Sequence, residues 1–267
     1  MTASTSDLVN AIRGRHAQVL ERIAASARRA GRSPDSVRLV AVTKSQPLHV
    51  VEAAIDAGLH VLGENYAEEA VSKIRALQDR LNLVPLPGDS MQAHSGPGFK
   101  VEWHMVGHIQ GRKAKLVAAY FDLIHSLDSL RLAERLNGHA AQLGRELPVL
   151  LEFNVGGEAE KHGWPAREES AWPQLRDEAE AVADFPNLRI RGLMTMPPLS
   201  NDPEESRVYF RRLRKLQDFL GAVVSKGAWS ELSMGTSADY AVAVEEGATL
   251  VRVGEAILGP RPSRERV

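Results

Sequence analysis

Between Leu8 and Ala30, apolar residues recur at Leu8, Ile12, Val19, Leu20, Ile23 and Ala27, the spacing of one helix face, and Gly31 ends the run. Beyond it the period changes, and short apolar runs of strand length alternate with amphipathic stretches. The runs fall at residues 39–42, 60–63, 103–107, 121–125, 148–154, 188–195, 230–233 and 249–253. Helices are predicted between them. The first starts with Pro47 as its first residue and stops at Gly58. Others cover about 67–81, a basic stretch through Lys113, Lys115, Leu116 and Val117, and a segment capped by Asp128 or Ser129 that reaches Leu143 and Gly144. The last three cover 168–183, 203–224 and 238–246. Eight short strands alternating with helices predict an α/β fold: a single (β/α)8 TIM barrel with one extra amino-terminal helix. A doubly wound open sheet shares the same pattern.

The segment 85–100, rich in Pro, Gly and Ser, joins a helix to the next strand. In a barrel such a loop lies on the amino-terminal face, and it reads as an insertion within one domain spanning 1–267. Composition narrows the function. The formal net charge of -1 is spread along the chain, which disfavours nucleic acid and anionic membranes. The absence of cysteine excludes disulfides, thiolate metal sites and cysteine nucleophiles, and no metal site is expected. No apolar run is long enough to span a bilayer, and the polar start is unlike a signal peptide, so a cytoplasmic protein is expected.

Candidate chemistry sits at strand ends. Lys44 follows the first strand, where its ammonium must be desolvated, paired or turned out to solvent. In a barrel, the loops after the seventh and eighth strands commonly hold a phosphate. Here the first of these loops is Ser233-Met-Gly235-Thr236-Ser237, with Thr236 and Asp239 spaced as a capping box, and the second opens at Gly254. Arg252 shares one strand face with Leu250 and Gly254 and needs a partner; a carboxylate such as Glu64 and a ligand suit it equally. Asn65 and His104 lie at or just past strand ends, as site residues or as polar residues of the rim. Met194 and Met196 read as packing. Lysine, phosphate-binding turns and arginine together make pyridoxal 5'-phosphate the sensible ligand, bound as a Schiff base.

The stretches Ala41-Val-Thr-Lys44, Gly63-Glu-Asn65, Trp103-His-Met-Val-Gly107, Gly192-Leu-Met194-Thr-Met196, Leu232-Ser-Met-Gly235 and Val251-Arg-Val-Gly254 resemble the YggS/PROSC family. These are pyridoxal phosphate homeostasis proteins, barrels similar to the amino-terminal domain of alanine racemase. The resemblance covers nearly the whole chain. It implies Lys44 as the Schiff-base lysine, phosphate contacts from Ser233, Gly235, Thr236 and Gly254, and Arg252 opposite the pyridine nitrogen. Asn65, His104 and Met194, carried by the same motifs, complete the expected cofactor-binding set. Two departures stand out: Gly111-Arg112-Lys113 where the family usually has Ser-Asn-Lys, and the length of the 85–100 loop.

The implied function is cofactor carriage without catalysis by a monomer, with pyridoxal-phosphate-dependent apo-enzymes as recipients. An amino-acid racemase is the alternative, and a class I aldolase fits the residues alone. In the racemases a tyrosine from a second domain of the partner subunit provides the second base. Only thirteen residues follow Gly254, too few for such a domain, which leaves Tyr66 and Tyr240 near strand ends as stand-ins.

Overall fold

The computed structural model describes residues 5–81 and 101–261, so the 85–100 segment lies outside the described residues. The first amphipathic run forms α1 (Thr5–Arg29), with Ile12, Val19, Ile23 and Ala27 on its buried stripe. Strands and helices then alternate: β1 (Arg38–Val42), α2 (Leu48–Asp56), β2 (Val61–Glu64), α3 (Ala67–Leu81), β3 (Glu102–Met105) and α4 (Ala114–Tyr120). They continue as β4 (Leu123–Leu127), α5 (Leu130–Gln142), β5 (Leu147–Asn154), the two-residue β6 (Trp164–Pro165) and α6 (Trp172–Ala183). The chain ends with β7 (Leu188–Met194), α7 (Arg207–Val223), β8 (Glu231–Ser233), α8 (Tyr240–Glu245), β9 (Leu250–Val253) and α9 (Glu255–Leu258).

All strand pairs are parallel. Pairing runs β1 to β5, continues through β7, β8 and β9, and β9 returns onto β1. The sheet is therefore a closed eight-stranded barrel, which removes the open-sheet alternative. β6 adds to the end of β5 and has no counterpart in the sequence pattern. A closed parallel sheet is covered outside by helices and filled inside by side chains, so its strands are apolar on both faces. The outer layer is large and continuous: Trp103, Phe153, Leu193 and Val251 from the strands pack with Leu136 of α5 and Phe210, Leu213 and Leu216 of α7. α1 packs against α2, α8 and α9. No helix among the described residues is long and apolar enough to cross a membrane.

Several boundaries differ from the sequence pattern, some for local reasons. Pro47 is the N-cap of α2, with extended ψ of 157°, and not its first helical residue. β4 starts at Leu123, two residues later than predicted, because the Phe121 N–H still closes α4 onto the Val117 carbonyl. β4 consequently runs on to Leu127 and places His125 mid-strand. Of the two cap candidates for α5, Ser129 serves, accepting the Leu132 N–H.

Candidate functional site at the carboxyl-terminal mouth of the barrel

β1 ends at Val42, and Thr43 to Gln46 leave the rim in a turn that carries Lys44. Ser45 sits at φ 57°, a left-handed conformation that costs a residue with a side chain about 1–3 kcal/mol. A buried charge cluster holds it there. Glu69 Oε1 accepts the Ser45 N–H at 2.6 Å. Lys73 Nζ donates to Glu69 Oε1 and Glu64 Oε1, each at 2.6 Å, and to the Thr43 carbonyl at 2.8 Å. The Thr43 hydroxyl donates to Glu64 Oε1 at 2.7 Å. Both neighbours of Lys44 are thus anchored, while Lys44 has no hydrogen bond or ion pair among the described residues. Burial lowers its ammonium below the ordinary lysine value; the charges of Arg261 and Arg252 act in the same direction, and Glu64 opposes them. A partly desolvated, unpartnered lysine gives up its proton more readily than a solvated one, as attack on a carbonyl requires.

The turns after β8 and β9 adjoin because those strands pair. Gly235 has φ 91°, and a Cβ there would lie 2.5 Å from the Ala243 Cβ, so both the turn and the approach of α8 require glycine. Half of the expected capping box forms. Asp239 Oδ1 accepts the Thr236 N–H at 2.7 Å and its hydroxyl at 3.0 Å, which delays α8 to Tyr240 and occupies both Thr236 donors. Ser237 ties the turns together, its Oγ accepting the Gly254 N–H at 3.2 Å. The N–H groups of Ser237 and Ala238, and of Glu255 and Ala256 opening α9, meet no acceptor among the described residues. Free backbone donors on two adjoining turns suit a phosphate.

Arg252 points into the barrel and is only 4% exposed. Its Nη1 donates to Ser233 Oγ at 2.6 Å, and its Nη2 reaches the Thr195 carbonyl and Met196 Sδ, both at 3.0 Å. The carboxylate partner considered for it, Glu64, is taken by Lys73 and Thr43 instead. Burial brings the Arg252 guanidinium down to about 10, against the pull of Asp239 and Glu152, so it stays charged at neutral pH. Burial, helped by the charge of Asp128, pushes Glu152 up to about 7, and its Oε2 has no hydrogen-bond partner.

From Ser233 a polar line crosses the barrel. Ser233 Oγ is 2.7 Å from His125 Nδ1, His125 Nε2 is 3.0 Å from His104 Nδ1, and His104 Nε2 is 3.4 Å from Glu102 Oε2. Burial lowers both imidazoles below the ordinary histidine value, His125 further than His104, which favours the neutral form of both rings. The hydrogen bond from His104, with the charge of Arg38 beside it, holds Glu102 at about 2 despite burial. An ionised carboxylate only accepts. His104 therefore carries its proton on Nε2, His125 does the same to reach His104 Nδ1, and the Ser233 hydroxyl donates to His125.

Lys44, Gly235, Thr236, Arg252 and Gly254 share the carboxyl-terminal mouth, where a Cβ on Gly254 would lie 3.0 Å from the Val42 carbonyl. Asn65 joins them after β2; the loop after β3 passes so near that a Cβ on Gly107 would lie 2.5 Å from the Asn65 carbonyl. Four other residues stand differently from expectation. The Ser233 hydroxyl is turned inward to Arg252 and His125, not outward to a phosphate. His104 lies in the barrel interior and lines a cavity at the opposite mouth with Arg38, Glu102 and Arg145; His125 stands between it and Ser233. Met194 is buried with Val40, Leu123, Leu150 and Leu250 in the barrel interior, as packing predicts. Met196, read as packing, is 44% exposed and sets its sulfur on Arg252. Ser237 enters the sequence pattern only as part of its loop, and His125 and Glu152 not as site residues. For His125 and Glu152 the available signal was a polar residue alternating with apolar ones along a strand.

The family model of the alanine racemase N-terminal domain matches residues 17–262. A pyridoxal phosphate homeostasis protein of Aquifex aeolicus is 37% identical over 247 residues, which cover 92% of this chain and 97% of that protein. The structure of PipY of Synechococcus elongatus with PLP bound superposes with a TM-score of 0.71 at 33% identity, covering 90% of this chain and all of that one (100%). An alanine racemase of Streptomyces lavendulae shares the fold, with a TM-score of 0.64 at 17% identity; the match covers 96% of this chain and 59% of the racemase. With matches of this identity and span, the chain belongs to the family of pyridoxal phosphate homeostasis proteins built on the alanine racemase N-terminal domain.

Proposed function

We propose that this protein binds pyridoxal 5'-phosphate at the carboxyl-terminal mouth and serves its homeostasis, holding the cofactor and releasing it to apo-enzymes without turning over amino acids. The observation that carries this reading is the unpartnered Lys44 beside two turns with acceptor-free N–H groups and an arginine without a carboxylate partner. These are the groups that an aldehyde, a phosphate and a ring nitrogen would need, so the residues fit the cofactor. When bound, the cofactor supplies an aldehyde carbon that takes up amines reversibly. Lys44 is the amine offered to it. The N–H groups of Ser237, Ala238, Glu255 and Ala256 would hold the phosphate, and Asn65 lies at the same rim. Arg252, held by Ser233 and Thr195, keeps a positive charge in the mouth and would leave a ring nitrogen brought against it unprotonated.

Carriage is favoured over racemisation by the placement of the tyrosines. Tyr240 is buried with Arg22 of α1 over its ring, the Tyr120 hydroxyl accepts from Arg75, and Tyr209 packs against the outer core. Tyr66, half exposed after Asn65, is the one tyrosine of the four left free at the mouth among the described residues. Tyr66 is therefore the one candidate second base, and if it does not oppose Lys44 the site lacks a contribution of about 10²–10⁴ in rate. The test is reduction of the loaded protein with borohydride, peptide mapping, and α-proton exchange of L- and D-alanine in deuterated water. The expected label is on Lys44, lost in Lys44→Ala, with no sustained exchange. A label elsewhere sinks the site, and exchange with inversion that requires Lys44 makes the protein a racemase.

A further inference from the structure

A cavity of 470 Å³ opens between the loop after β3 and the start of α5, with Arg112, Arg131 and Arg135 on its walls. None of its lining residues belongs to the turns after β1, β8 or β9, so it is separate from the cofactor site. Most arginines among the described residues are engaged: Arg29, Arg189 and Arg207 pair with carboxylates, while Arg145 and Arg212 bind backbone carbonyls. The three in this cavity are different. Arg112 donates only to the side-chain oxygen of Gln110, and Arg131 and Arg135 have neither hydrogen bond nor ion pair among the described residues. One carboxylate lines the cavity, Asp128, and its oxygens are already met by the Ser129 hydroxyl and by His108 Nδ1, each at 3.0 Å. Three guanidinium groups around one cavity repel one another unless an anion lies between them.

The local backbone adds to this. A Cβ at Gly111 would lie 3.2 Å from Arg135 Nη1 and 3.3 Å from its Cζ, so glycine lets that guanidinium rest against the loop. Gly111 and Arg112 replace the Ser and Asn that the family resemblance anticipates; Arg112 adds a charge to the cavity, and Gly111 leaves room for Arg135. α5, thirteen residues long, starts here behind its Ser129 cap, and the N–H groups of Leu130 and Arg131 have no acceptor among the described residues.

We propose that this cleft is a second anion site that takes the phosphate ester or diphosphate group of a small molecule. Planar guanidinium forks and first-turn N–H groups match tetrahedral phosphate oxygens, and the volume suits a metabolite-sized ligand. The test is calorimetric titration of the purified protein with inorganic pyrophosphate, with succinate as the carboxylate comparison. The expected result is a site whose affinity falls about tenfold or more in Arg131→Ala/Arg135→Ala and also falls in Gly111→Ser, which displaces Arg135 while keeping every arginine. Pyrophosphate held by the turns after β8 and β9 would be untouched by these substitutions, so failure of this site and failure of the cofactor reading give different results. Unchanged affinity in the double variant, absence of binding, or succinate binding as tightly as pyrophosphate overturns the proposal.

Discussion

The two faces of the barrel strands are built on different rules. The outer face meets the helices in one continuous apolar layer that includes Trp103, Phe153, Leu136 and Phe210. The inner face has a small apolar cluster of Val40, Leu123, Leu150, Met194 and Leu250, crossed by the line from Arg252 through Ser233, His125 and His104 to Glu102. Buried polar groups cost free energy unless each is hydrogen-bonded, and this line closes nearly all of its bonds. The difference divides the labour: outer packing supplies stability, and the interior supplies a charge of fixed position beneath Lys44.

The largest effect is expected from the outer layer. Phe210→Ala removes a fully buried ring of α7 and should lower unfolding free energy by about 3–5 kcal/mol, read by urea denaturation, while cofactor affinity per folded molecule stays unchanged. A matching loss of affinity would break the division.

Glu152 comes next, because it is a carboxyl group buried in the interior with one oxygen unmatched. Its pKa rises from 4.5 to about 7 on folding, so the folded state binds more protons between those values and loses stability as pH climbs through them. Glu152→Gln cannot ionise. Its advantage over wild type should grow from pH 5 to pH 8, levelling at up to about 3 kcal/mol. A pH-independent difference would mean that another group dominates.

The smallest effect sharpens the comparison most. Ser233→Ala leaves Arg252 Nη1 without its acceptor and His125 Nδ1 without its donor, a loss of about 1–3 kcal/mol in stability. Unlike Phe210→Ala, it should also shift the absorption maximum of bound cofactor by freeing the guanidinium. A shift in stability alone would make the line a packing device.

Local chemistry is what the sequence determined. Alternating periods placed eight strands and their helices, because amphipathicity is written within a few residues of each position. Lys44 between a strand and Pro47, and Gly235 ahead of a helix, were likewise legible from their immediate neighbours. Closure was not, since the pairing of β9 with β1 joins segments about 210 residues apart along the chain, Arg38 opposite Leu250. Nor were the Ser233 hydroxyl's inward direction, the neutral pair His104 and His125, or Lys73 bracing Ser45 through Glu69. Each of these side chains has an outward and an inward choice of equal local merit. Only the assembled barrel, by excluding water from its interior and bringing four strands within hydrogen-bond distance, makes one choice far less costly than the other.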